Sequence, residues 1–175
     1  MDSTLATVFA IFLAVVLMAV VPLMLSAGQQ DNIAQISVQA LIDEYGGEIV
    51  ATGVLTQEDL AALEQALAAT GNSYDIVIEI SKLDENPGKK TSDGSTQIIG
   101  ENVYYIMYTS QVESELEARG EMLLNEGDRV KIEVKNSNTT LFQLFKGFIY
   151  QTPAGSSTIV GIFVGQVQEN GARTE

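Results

Sequence analysis

"FAIFLAVVLMAVVPLMLSAGQQD", Phe9 to Asp31, decides how this chain is read. It is apolar enough to cross a membrane, yet Pro22 interrupts it and no lysine or arginine flanks it. No residue from Ser3 to Gln30 is charged, and about 20 apolar residues suffice to span a bilayer as a helix. A secretory signal has a shorter apolar region of about 7–15 residues, a basic start and a small-x-small cleavage site. Here the run is longer, the start carries Asp2, and Leu25-Ser26-Ala27 is a poor cleavage site. The segment therefore reads as a helix that stays with the mature protein. Burying one large aliphatic side chain is worth about 1.5–3 kcal/mol, so holding the whole run in water costs on the order of tens of kcal/mol. It belongs in lipid or inside a protein assembly.

Within the run, Ala6, Ala10 and Ala14 recur every fourth residue, a small-xxx-small stripe that lets helix backbones approach closely. Pro22 lacks a backbone donor and clashes with the carbonyl of Met18, which predicts a kink or a loosened turn. Beyond Gly28, "DNIAQISVQALIDEY" keeps a helical period, with Ile33, Ile36, Ala40, Leu41 and Tyr45 near one face and Gly46-Gly47 as a stop. The N-terminal element thus reads as one helix of about 45 residues, close to 70 Å long at about 1.5 Å per residue. No domain of this size buries such a length, so its first half must project. Residues 1–52 form this helical region, apolar over 1–30 and amphipathic over 31–46, and residues 53–175 form the head.

Composition narrows the function classes. The formal net charge of −14 argues against nucleic acid and against anionic headgroups, both of which recruit Lys and Arg. Without cysteine there is no disulfide framework and no thiolate chemistry; without histidine there is no imidazole metal site and no Ser-His triad. Every ionisable side chain before Lys82 is acidic or Tyr.

The head reads as α+β: a small antiparallel sheet of three or four strands covered by two or three helices. Thr56 and Asp59 open a helix as a capping box, with Leu60, Leu63 and Leu67 inward and Gly71 as its stop. "SYDIVIEISKL" alternates as a strand, with Tyr74, Ile76, Ile78 and Ile80 on one face. A polar loop follows over Leu83–Thr96, then the strand "NVYYIMYTS" and the helix "SQVESELEARG" with Val112 and Leu116 inward. "EGDRVKIEV" is a strand carrying Val130, Ile132 and Val134; "TTLFQLFKGF" is a short helix or turn. "STIVGIFVGQVQ" is apolar almost throughout, which predicts a final strand buried on both faces, with Gly161 and Gly165 for close packing or a bulge. The tail after Glu169 is expected to fray.

These features resemble the type IV pilin superfamily: the long uncharged run, Pro22 within it, the amphipathic continuation to about Tyr45 and the sheet-rich remainder. The resemblance implies a lollipop-shaped subunit that polymerises through its oily half-helix into an extracellular, cell-surface filament, a helical homopolymer. It further implies a prepilin-type peptidase that removes a basic leader, with Met1 as the mature first residue, and ATP-driven machinery that lifts subunits from the membrane. The chain departs from the family at Leu5, where pilins usually carry glutamate. Asp2 is then the carboxylate available to pair with a neighbour's terminal amine. The alternative is a single-pass anchored extracytoplasmic binding domain, or a minor pseudopilin that forms no filament.

Nothing in the pattern points to an enzyme, a cofactor or a metal. "GKKT" at Gly88–Thr91 lacks the upstream glycine of a phosphate loop, where Leu83 stands. Asp84, Glu85 and Asp93 could offer oxygen ligands to calcium, but their spacing fits a solvated loop. Glu58-Asp59, Glu113 and Glu117 fit helix surfaces. Asn138-Thr139-Thr140 matches a glycosylation acceptor. N-terminal analysis of native material is expected to find Met1 as a processed residue; an unprocessed initiator there contradicts the leader.

Overall fold

The computed structural model describes residues 2–84, 104–151 and 159–172. Its architecture is α+β. Helix α1 (Asp2–Thr52) leads to the short strand β1 (Val54–Thr56), helix α2 (Gln57–Ala68), and strands β2 (Tyr74–Leu83) and β3 (Tyr104–Tyr108). Helix α3 (Thr109–Arg119), strands β4 (Glu121–Leu123) and β5 (Arg129–Asn136), helix α4 (Leu141–Tyr150) and strand β6 (Val160–Gln166) complete the order. One antiparallel sheet has the order β3-β2-β5-β6, and β1 pairs with β4 in a second, two-stranded sheet. Most of the expected polar loop, from residue 85 onward, lies outside the described residues.

Helix α1 stays helical through Pro22, and it also continues through Gly46-Gly47, the expected stop. It ends at Gly53, whose left-handed φ of 66° lets its N–H donate to Ile49 O at 2.9 Å. Gly46 serves packing: a Cβ there would sit 2.6 Å from Phe163 Cγ, so the absence of a side chain admits that ring. On the strand side, a Cβ at Gly161 would meet Ile42 at 2.6 Å and Val38 at 2.9 Å. Paired glycines on helix and strand bring α1 unusually close to β6.

This close approach corrects the predicted buried face. The core stripe of α1 is Ala34, Val38, Ile42 and Ile49, flanked by partly buried Leu41 and Tyr45. Ile33 and Ile36 stay 64% and 71% exposed, and Ala40 is exposed too. The missing side chain of Gly161 makes room for Val38 and Ile42 against the strand, and Ile33 and Ile36 fall outside the stripe. The stripe lies over β6 and β5 and shares one core with Val130, Ile132 and Val134 of β5 and with Ile78 and Ile80 of β2. Val112 and Leu116 of α3, with Leu63 and Leu67 of α2, close the core as expected.

Strand β6 is not buried on both faces. It is an edge strand, with β5 as its one strand neighbour among the described residues, and Ile162 and Val164 point outward and are exposed. Its free edge is covered instead by side chains of α1. Gln35 donates to Val160 O at 2.5 Å and accepts from Val160 N at 2.9 Å; Gln39 donates to Ile162 O at 3.0 Å and accepts from Ile162 N at 3.3 Å. The match is geometric. Four helical residues rise about 6 Å, and two strand residues advance about 6.6 Å. Two glutamines one turn apart therefore act as a substitute neighbouring strand.

Local chemistry sets the other ends. Thr56 and Asp59 form the expected capping box, and Thr140 and Gln143 form another at α4. The Thr140 hydroxyl donates to Asp31 at 2.7 Å, tying the start of α4 to α1. Buried Asp128 accepts from Leu83 N at 2.8 Å and Asn125 N at 2.9 Å. The described part of the segment after β6 is tied down as far as Gly171: Gln168 N donates to Val50 O at 2.8 Å, and Gly171 N to Leu124 O at 2.9 Å; residues 173–175 of the expected frayed tail lie outside the described residues.

Replacing Gln35 and Gln39 together by alanine is expected to destabilise the head by about 2–4 kcal/mol, given about 1 kcal/mol for each hydrogen bond lost. Amide exchange of Val160 and Ile162 should accelerate, while Gly161 and Phe163, which point to β5, stay slower. Unchanged exchange at all four amides would contradict the edge-covering role.

Candidate functional site

The candidate site is the bare half of α1. Every residue from Ser3 to Ala19 is exposed, including Leu5, Phe9, Phe12 and Met18 at 65–79%. Over an 18-residue window this half reaches a mean hydropathy of 3.0 with none of it buried, so the helix is long and apolar enough to cross a membrane. Ala6, Ala10 and Ala14 lie exposed along one side, as does Pro22 further on. The stripe is therefore available to another helix and is not used within the subunit. The side chain of Asp2 lies outside what is described.

The change of environment along α1 is abrupt. Val20 and Met24 are half-buried, Ala27 is buried, and from Ala34 onward every third or fourth residue enters the core. The helix is thus clamped over its C-terminal half and bare over its N-terminal half.

Other predicted residues scatter. Asn138 sits at the rim of the head, where its amide donates to Asn72 at 3.0 Å and accepts from Ser73 N at 2.9 Å. A sugar on that nitrogen would replace the bond to Asn72. Glu58 and Asp59 occupy the first turn of α2, and Glu113 and Glu117 lie exposed on α3. Asp84 is described, whereas Glu85, Asp93 and Gly88–Thr91 fall outside the described residues. Among the described residues no group of three acidic side chains lies together in a metal-binding arrangement.

Two apolar surfaces escaped the sequence reading. Ile33 borders a groove of about 610 Å³ between α1 and α2, lined also by Leu41 and Ala66. Helix α4 turns Leu141, Leu144, Phe148, Ile149 and Tyr150 outward, with Phe148 85% exposed. A signal for the second was present: seven of the ten residues in "LFQLFKGFIY" are apolar, more than one helix face can bury.

The outer face of the sheet carries a ladder of charge. Lys131 bridges Glu79 and Glu133, each at 3.3 Å, and Lys135 also pairs with Glu133. Hydrogen bonds from Lys135 and then Lys131 hold the Glu133 carboxyl below its ordinary range; Glu79 and then Glu133 raise the Lys131 ammonium. Compared with models of known families, with curated proteins and with solved structures, the chain gives no match.

The ladder has a definite sign. The lowered Glu133 contributes stability above the ordinary glutamate pKa, lost as pH falls through its folded value. The raised Lys131 contributes below the ordinary lysine pKa, lost as pH rises through its folded value. Both contributions are small because the groups face solvent. NMR titration of Glu133 should give a midpoint below that of a free glutamate, moved upward by Lys135→Met; an unshifted midpoint in the parent would contradict the ladder.

Proposed function

We propose that the chain is the repeating subunit of an extracellular pilus-like filament. The observation that carries this is the division of one 51-residue helix into a half clamped to the head and a half exposed from Ser3 to Ala19. Exposed apolar surface of that extent needs a continuous apolar environment. Lipid supplies it for a subunit waiting in the membrane, and neighbouring helices supply it in a filament core. Head-to-tail contacts between identical subunits generate an open helical polymer.

In this reading the half-helices bundle along Ala6, Ala10 and Ala14, and the acidic heads form the outer wall. Both environments hide apolar surface, so hydrophobicity alone does not drive subunits from one to the other. Transfer requires a machine, ATP-driven by analogy with type IV pili, and a prepilin-type peptidase would release the subunit for assembly. Asp2 enters the bundle with its charge paired to a neighbour's terminal amine, because an unpaired buried charge is costly. Leu5, in place of the usual pilin glutamate, is the observation that favours a second reading, a membrane-anchored head that never polymerises.

One substitution separates the two. Ala10→Leu adds bulk where backbones approach, at about 1–3 kcal/mol per overpacked site, repeated at every subunit. Surface filaments should be lost or become fragile while membrane-held monomer persists. A lone anchor meets only lipid at this position and tolerates leucine. Unchanged filaments would remove the alanine seam; a parent chain that stays monomeric in the membrane would establish the anchored head.

A further inference from the structure

Among the described residues the outward apolar face of α4 has no partner within the subunit, and its place along α1 indicates what covers it. Val20 and Met24 are half-buried while the residues around them are exposed. They continue one side of α1 through Ala27 and Gly28 to Asp31. That side carries α4: Thr140, the residue capping α4, bonds Asp31, and Phe142 lies against Gly28, 3.2 Å from where a Cβ would be. From Asp31 back to Val20 the helix extends about 16 Å, and the ten residues of α4 extend about 15 Å. Helix α4 therefore runs back along α1 toward its N-terminus, from the head onto the last turns of the apolar run.

This places α4 at a definite depth if α1 spans a bilayer. A hydrocarbon core of about 30 Å takes up about 20 residues, so Ser3–Pro22 fills it and Leu23–Gln30 lies level with the headgroups. The C-terminal turn of α4, beside Val20–Met24, lies at the edge between the two. Its outward residues are Leu144, Phe148, Ile149 and Tyr150, and it carries Lys146 but no acidic side chain in a chain of net charge −14. Apolar and aromatic bodies with a lysine beside them suit the boundary between headgroups and acyl chains.

We infer that α4 is an interfacial foot, which seats the head on the outer leaflet by inserting Phe148 and its neighbours beside the span. The ligand is a lipid surface, and the inference rests on the membrane-held state of the proposed function. The apolar face is then continuous with that of α1, and both leave lipid together when the subunit is withdrawn.

The chain contains no tryptophan, which permits a direct test. Phe148→Trp and, separately, Phe12→Trp are placed in the full chain and reconstituted in phosphatidylcholine vesicles. The lipids carry bromine either near the glycerol end or near the chain end. Phe148→Trp should emit with a blue shift and lose most intensity to the shallow bromines, at a depth of about 5–10 Å into the boundary. Phe12→Trp should lose most to the deep bromines. If Phe12→Trp is quenched while Phe148→Trp emits as in water and yields to aqueous acrylamide, the foot is overturned and the span stands. If Phe12→Trp escapes all brominated lipid, membrane residence fails and the foot with it. A blue-shifted Phe148→Trp that brominated lipid does not quench means that a second copy covers the face, which also overturns the inference.

Discussion

The arrangement depends on the contact between Gln35, Gln39 and the free edge of β6. A helix cannot continue a sheet with its own backbone, whose donors and acceptors are spent internally. Two side-chain amides one turn apart can, because each offers one donor and one acceptor at nearly the spacing of alternate strand residues. The contact leaves the backbone groups of half-buried Val160 and exposed Ile162 satisfied along the sheet's free edge. It also fixes the rotation of α1 about its own axis. Once that rotation is set, Val38 and Ile42 face Gly161, Gly46 receives Phe163, and the isoleucines at 33 and 36 are left outside.

The bare half inherits its direction from this joint. Helix α1 is continuous from Asp2 to Thr52, so clamping its C-terminal half ties the course of the apolar half to the head. The bond from Thr140 to Asp31 and the seat of Phe142 on Gly28 add a brace at the place where the helix leaves the core. A subunit that moves between lipid and a polymer core gains from such a brace. On the proposed function the head would keep one orientation in both settings, and contacts between heads in a filament would need no rearrangement within the subunit.

Much of this was legible in the sequence because it is local. The uncharged run, the period of β2 and β5, the inward residues of α3 and the Thr56–Asp59 box all follow from short-range pattern. The misreadings share one cause, contacts between residues distant in the chain. Gly46-Gly47 looked like a helix stop, since glycine is a poor helix former; the phenyl ring that needs Gly46 comes from residue 163. The apolar run of β6 suggested cover on both faces, but its sheet neighbours and α1 cover only one face and both edges. Gln35 and Gln39 looked like the polar side of an amphipathic helix, and nothing nearby in sequence marks them as strand mimics. Strands β1 and β4, three residues each, are too short to show a period.

The central claim is that the bare half of α1 is the core element of a polymer. Imaging of sheared cell-surface material, with mass spectrometry of isolated filaments and reconstruction of their helical symmetry, tests it most directly. The expected result is filaments made of this chain, with density for residues 3–30 bundled along the axis and the heads outside. Recovery of the chain only as a membrane-held monomer, or filaments whose axis is formed by the heads, would contradict it.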